Sequence, residues 1–148
     1  MEKGVNKMDF VKLCRLTIFT AEDVMYQDKP LYKCVIDEAR RCKLAGGTVF
    51  KADYGFGTEI RGKEYGQIGF FTGMPNLPIT ITIVDLKENL KRILPFLEKC
   101  GDKHFLAVTE EVNALVTDYI RSHAGELKEV FVDGRHNKDK NPEVSHDL

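Results

Sequence analysis

The sequence has little of several features that define large protein classes. No apolar run approaches the roughly 18 residues of a membrane-spanning helix, so we expect no transmembrane segment. The 22 basic and 23 acidic residues give a formal net charge of −1, which removes the general electrostatic argument for nucleic-acid binding. Residues 1–9 lack the apolar stretch of a signal peptide. These absences favour a cytoplasmic globular protein that neither enters a membrane nor binds nucleic acid.

Cysteines are few, and none has the spacing of a zinc site. A disulfide framework is not expected in a cytoplasmic protein. We expect three of the four to be small buried side chains, namely Cys14, Cys34 and Cys42. Cys100 is expected to be more exposed, with His104 as the nearest base that could activate a thiol. No metal ligands are predicted.

The motifs of common catalytic machineries are also missing. The chain contains no nucleophile elbow, no Walker loop and no HExxH helix. Glu110 and Glu111 are adjacent, so on a helix they point about 100° apart and are better partners of the helix dipole than of each other. We therefore predict that the protein is not an enzyme, and we predict no catalytic residue.

What is present is an alternation of strand and helix patterns. Period-two alternation or β-branched and aromatic content predicts four strands: Phe10–Phe19, Thr48–Ala52, Leu77–Val84 and His104–Thr109. Apolar residues at helical spacing predict one helix after Asp28-Lys29-Pro30. They predict a second helix after Asp85, with Glu88 completing an approximate capping box. Pro95 is expected to kink this second helix or to end its regular part.

The C-terminal part is predicted to add a third helix and a short strand. Thr109 is the expected cap of the helix, and its apolar stripe consists of Val112, Leu115, Val116, Tyr119 and Ile120. Glu129–Val132 is the expected strand. We divide the chain into a flexible extension (1–9), one folded domain (10–133) and a flexible polar tail (134–148).

The order β-α-β-β-α-β predicts an α+β, ferredoxin-like fold, with the added helix and strand at its C-terminal end. Two helices on one face of a four-stranded sheet leave the other face uncovered. That face also carries apolar side chains, and something must cover them. Self-association is the simplest cover, and partial cover by the third helix is the alternative.

The connection from Tyr54 to Asn76 contains six glycines and Pro75, which indicates a long loop. Long loops inside compact domains are usually functional. Its Gly55-Phe56-Gly57 can turn backbone N–H groups toward an anion, or it can be a hinge that needs positive φ. Arg61 and Lys63 can reach phosphates, or they can be solvated loop residues.

Several short pieces occur in a specific order along the chain: Leu16-Thr17-Ile18-Phe19, Lys29-Pro30-Leu31-Tyr32, Leu44-Ala45-Gly46-Gly47-Thr48-Val49, Tyr54-Gly55-Phe56-Gly57, Ile81-Thr82-Ile83-Val84-Asp85 and Leu94-Pro95-Phe96-Leu97. In this order and at these separations the series resembles the small bacterial and archaeal PII-like proteins, a branch of the PII signalling superfamily. The resemblance covers about residues 10 to 110.

The resemblance implies a homotrimer in which the open sheet faces form a central core. It also implies that residues 54–76 correspond to the T-loop, the arm through which PII proteins contact partners. PII proteins bind adenine nucleotides between subunits, so a small anionic effector is expected, with ATP, ADP, AMP and cyclic AMP as candidates. The implied ligand-binding residues lie in two segments: Gly55, Phe56, Gly57, Arg61 and Lys63, and then Gly101, Asp102 and Lys103.

Two departures from the family pattern are visible. Gly57 is followed by Thr58-Glu59-Ile60-Arg61 instead of the Arg-Gln-Lys run of the PII proteins, and the second Gly-rich loop is shorter. The implied function is a signalling protein whose effector orders the 54–76 loop and thereby controls a partner, with a membrane transporter as one candidate. Two alternatives stay open. One is a metal- or stress-responsive trimer that uses Cys100 and His104, and the other is an enzyme with a site in the cleft between subunits.

Overall fold

A computed structural model describes residues 9–56 and 77–122 and the two residues 144–145. In chain order the elements are β1 (Phe10–Ala21), β2 (Met25–Tyr26), β3 (Lys29–Pro30), α1 (Leu31–Arg41), β4 (Thr48–Lys51), β5 (Pro78–Asp85), α2 (Lys87–Leu90), α3 (Leu94–Lys99), β6 (Leu106–Leu115), α4 (Asp118–Ser122) and β7 (Val144–Ser145). None of the described helices combines the length and the apolar content that crossing a bilayer requires.

The main sheet has the strand order β4-β5-β1-β6, and every pairing in it is antiparallel. α1 connects β1 to β4, and α2 and α3 connect β5 to β6, so each helical connection spans an intervening antiparallel strand. This arrangement is the split βαβ, ferredoxin-like fold, and the predicted fold class is confirmed. β7 pairs with the first two residues of β1, beyond the end of β5.

One face of the sheet forms the main core under the helices. Alternate residues of β1 and β5 point to this face, and five of them are at most 1% exposed: Leu16, Ile18, Ile79, Ile81 and Ile83. Leu31, Val35 and Ala39 form the buried stripe of α1 that covers them. Burying each Leu, Ile or Val side chain stabilises the fold by about 1.5–3 kcal/mol, so this alternation is the main source of stability.

The predicted third helix is wrong over residues 110–115, because β6 continues to Leu115. Val112, a member of the predicted helical stripe, lies opposite Leu13, and Ala114 lies opposite Val11, so Val112 also fits the two-residue period of a strand. Pairing with the long strand β1 decides between the two. Thr109 is therefore a strand residue opposite Leu16, not a helix cap.

The helix starts also differ from the capping predictions. Asp28 does not cap α1, because it lies in the turn between β2 and β3 with a φ of 65°, next to Gln27 with a φ of 47°. Asp85 is fully buried at the end of β5, and its carboxylate accepts hydrogen bonds from the backbone N–H of Leu86 and of Ala45. It thus ties the start of α2 to the loop before β4.

The expected break near Pro95 is confirmed, since α2 ends at Leu90 and Pro95 lies in the first turn of the separate helix α3. The predicted strand Glu129–Val132 lies outside the described residues. So do residues 1–8 of the predicted extension and most of the predicted tail 134–148, of which the structure describes the two residues of β7.

Candidate functional site

The first candidate segment begins where β4 ends and the long connection to β5 starts. The N–H of Ala52 donates to the carbonyl oxygen of Pro78 at 2.9 Å, which extends the pairing of β4 and β5 by one step. A Cβ on Gly55 would lie 3.0 Å from Cγ of Pro78, so the absence of a side chain lets the backbone pass close to this proline. Phe56 follows with its ring 91% exposed. The other three predicted residues of this segment, Gly57, Arg61 and Lys63, lie outside the described residues.

The second candidate segment is the turn between α3 and β6. Gly101 donates its N–H to the carbonyl oxygen of Glu98 at 3.0 Å, and a Cβ on Gly101 would come within 3.0 Å of that same oxygen. The N–H of Lys103 donates to the carbonyl of Cys100 at 2.8 Å. The side chains of Asp102 and Lys103 form an ion pair at 4.0 Å, with the Asp102 side chain 76% exposed. The turn is therefore tightly wound, with its charged groups facing outward.

The two segments lie at the same end of the sheet but on opposite edges. Pro78 pairs with Ala21 and Leu106 pairs with Phe19, so both segments flank the last residues of β1. Their strands, β4 and β6, are separated by β5 and β1. Three strand spacings correspond to about 14 Å. The fold therefore keeps the two candidate segments apart, and we call each of them a candidate half-site.

The sheet face opposite α1 carries exposed apolar side chains. Four of them lie toward the same end as the candidate segments: Phe19, Phe50, Leu106 and Val108, which are 36%, 57%, 58% and 40% exposed. The strand register places them together, since Phe19 is the direct partner of Leu106 and Thr80 is the direct partner of both Phe19 and Phe50. We call these four residues and the threonines between them the open face.

α4 covers the other end of that same sheet face. Ile120 is buried and packs in one cluster with Val11, Leu13, Ala45 and Leu86. A Cβ on Gly46 would lie 3.2 Å from the hydroxyl oxygen of Tyr119. A groove of about 380 Å³ remains between α4 and the sheet, with a largely apolar lining that includes Leu13, Val84 and Ala114. The expectation that a C-terminal helix covers part of the sheet is thus met by a short helix over one end.

The cysteines differ in part from the predictions. Cys14 and Cys42 are buried as expected, whereas Cys34 is only partly buried. Cys100 is fully buried, so its expected exposure is wrong: the last turn of α3 directs it into the core. Burial raises the pKa of the Cys100 thiol above its usual value, which disfavours the reactive thiolate. Within the described ranges, no three His, Cys, Asp or Glu side chains converge as a metal site would require.

Sequence reasoning missed two charged residues beside the first segment. Oε2 of Glu22 lies 3.4 Å from Nζ of Lys51, and Oε1 of Glu22 accepts a hydrogen bond from the N–H of Leu77 at 3.2 Å. Nζ of Lys51 also lies 5.8 Å from the centre of the Tyr32 ring. The only signal in the sequence is the position of Lys51 at the end of a predicted strand, immediately before the loop. Nothing local connects it to Glu22.

Comparison with known proteins places this fold in a family. Residues 13–114 match the model of the family DUF190, described as "Uncharacterized ACR, COG1993". The chain belongs to the DUF190 family. A UPF0166 protein of Aquifex aeolicus is 38% identical over 104 residues, which cover 70% of this DUF190 chain and 93% of the relative. A UPF0166 protein of Methanocaldococcus jannaschii is 32% identical over 87 residues, covering 59% and 77% of the two chains.

Solved structures share the fold of this DUF190 protein. A candidate PII-like signaling protein from Thermus thermophilus is 22% identical with a TM-score of 0.50, and the match covers 73% of this chain and 94% of that one. CPII from Thiomonas intermedia, solved with ADP and bicarbonate, is 14% identical with a TM-score of 0.53, covering 74% and 95%. These similarities confirm that the chain has the fold of PII-like proteins. The family match ends within β6, so α4 and β7 lie beyond it.

Proposed function

We propose that this DUF190 protein is a PII-like regulator that binds a small anionic effector, an adenine nucleotide, between copies of the chain. The observation that carries the proposal is the placement of the two candidate segments at one end of the sheet but on opposite edges. A ligand bridging two neighbouring copies contacts the Gly55 edge of one and the Lys103 edge of the next. Neither edge alone encloses it.

The open face supports assembly into a homotrimer. Phe50, Leu106 and Val108 expose large apolar surfaces beside Phe19, and burying them against other copies is favourable at about 25 cal/mol per Å². A closed symmetric assembly covers every open face equally, and three copies is the number that the resemblance to PII proteins implies. This assembly also brings the two edges of neighbouring copies toward each other.

An adenine nucleotide fits the chemistry of the two half-sites. The exposed ring of Phe56 offers a surface on which a base can stack. Lys103 and the backbone N–H groups next to Gly55 can bind phosphate oxygens. The structure of CPII with ADP and bicarbonate favours ADP as the first nucleotide to test.

The 54–76 connection is the expected contact with a regulated partner, since it leaves the sheet directly from the first half-site. An effector bound at Gly55 and Phe56 contacts the start of this connection, which couples ligand to partner without a catalytic step. A membrane transporter remains a candidate partner, and a cytoplasmic location remains a prediction. The metal- or stress-responsive alternative relied on Cys100, whose thiol lies in the core.

Isothermal titration calorimetry with ADP, ATP, AMP and cyclic AMP tests the proposal. We expect Lys103→Ala to weaken binding of the preferred nucleotide about tenfold, because a charge-assisted hydrogen bond to phosphate is lost. Lys91→Ala is the matched control, since Lys91 is an exposed lysine that pairs with Glu88 away from both half-sites. Absence of heat with all four nucleotides at high protein concentration would remove the nucleotide from the proposal.

A further inference from the structure

The two ends of the 54–76 connection are joined by one carboxylate. Glu22 follows the last residue of β1, and its side chain is 20% exposed. Oε1 accepts the N–H of Leu77 at 3.2 Å, directly before β5, and Oε2 lies 3.4 Å from Nζ of Lys51, the last residue of β4. The Glu22 side chain, at the end of β1, therefore contacts both Lys51, where β4 leads into the connection, and Leu77, which follows the connection.

The contact with Leu77 is reinforced by the backbone. The N–H of Glu22 donates to the carbonyl oxygen of Leu77 at 3.1 Å, so Glu22 and Leu77 exchange two hydrogen bonds. The N–H of Leu77 thus donates to the carboxylate of Glu22 instead of to a backbone carbonyl oxygen. A charged acceptor makes a stronger hydrogen bond than a neutral one, so Leu77 is held more firmly than the end of a strand normally is.

The position of Leu77 sets the position of the first half-site. Pro78 comes next in the chain, and its carbonyl oxygen accepts the N–H of Ala52. Its ring is the surface against which Gly55 lies, with only 3.0 Å between Cγ and the place of a Cβ. A shift of Leu77 moves Pro78, and Gly55 and Phe56 move with it.

We call Lys51 and Leu77, which flank the 54–76 connection, its stem. We infer that Glu22 is a positioning residue that holds this stem closed and thereby keeps Gly55 and Phe56 in the geometry that binds the effector. The closure of the stem is inferred from contacts within this chain and needs no ligand, whereas the effect on effector binding rests on the proposed function.

Amide hydrogen exchange measured by NMR on the full chain tests the closure directly. We expect Glu22→Ala to increase the exchange rate of the Leu77 N–H at least tenfold, since its acceptor is removed. Glu22→Gln keeps an acceptor oxygen and is expected to stay within about threefold of the wild-type rate. Glu88→Ala removes an exposed carboxylate from the Lys91 pair and should leave Leu77 unchanged. An unchanged Leu77 rate in Glu22→Ala overturns the inference.

Titration of the same variants with ADP separates this inference from the proposed function. If the wild type binds ADP, we expect Glu22→Ala to weaken binding at least fivefold and Glu88→Ala to leave it unchanged. If the stem opens while the ADP affinity stays at the wild-type value, the positioning role is wrong. If the wild type binds none of ADP, ATP, AMP and cyclic AMP, the nucleotide proposal fails and the exchange of Leu77 alone decides whether Glu22 closes the stem.

Discussion

The two faces of the sheet are formed by the same strands but differ in what packs against them. On β1, Ile18 points to the helices and is fully buried, whereas the next residue, Phe19, points to the open face and is 36% exposed. Both are large apolar side chains, so residue type does not account for the difference. Helices α1, α2 and α3 lie over one face, whereas the other face is covered only at one end, by α4. One face thus stabilises the fold, and the other is the surface through which we propose that copies of the chain assemble.

The largest expected effect is the loss of a side chain from the covered face. We predict that Ile81→Ala lowers the free energy of unfolding by about 2–5 kcal/mol, because it leaves a cavity where a fully buried residue packed. Urea denaturation followed by circular dichroism measures this. The loss should be the same at every protein concentration, and a loss that disappears at high concentration would mean that Ile81 acts through assembly.

A charge on the open face is expected to break assembly while leaving the fold intact. Val108→Glu places a carboxylate opposite Thr17 and close to Glu110, so we predict monomers at micromolar concentration with an unchanged circular dichroism spectrum. Sedimentation velocity measures the mass.

The matched control is Thr109→Glu, which adds the same charge one residue later, on the other face of the exposed edge strand β6. It should retain the wild-type mass. The account of the open face is wrong if Val108→Glu keeps that mass or if both variants dissociate equally.

The smallest effect is expected where α4 covers the sheet. Ile120→Ala should destabilise the protein by about 1–2 kcal/mol, because a buried side chain is shortened but a five-residue helix can shift to fill part of the space. The oligomer mass should not change. A thermal unfolding curve identical to that of the wild type would show that the packing of α4 against the sheet does not stabilise the protein.

The alternation of apolar residues predicted the strands β1 and β5, and the order of strands and helices predicted most of the fold. The alternation did not predict where β6 ends, because Val112 fits the period of a helix as well as that of a strand, and only its pairing with β1 decides between them. The pattern of glycines in the sequence predicts Gly55 and Gly101 as candidate binding residues, and that role stays a prediction. The structure adds that a Cβ on either glycine would lie 3.0 Å from a neighbouring atom. Glu22 could not be predicted, because Lys51 and Leu77 approach it only in the folded sheet.

The central claim is that the effector site is formed between copies, and mixing two defective variants tests it most directly. Phe56→Ala damages the half-site on the β4 edge, and Lys103→Ala damages the half-site on the β6 edge. When the two are unfolded together and refolded, the account predicts that a fraction of sites binds ADP with wild-type affinity, because some neighbouring copies join two intact halves. If the mixture binds no more tightly than either variant alone, the site lies within one copy and the account is contradicted.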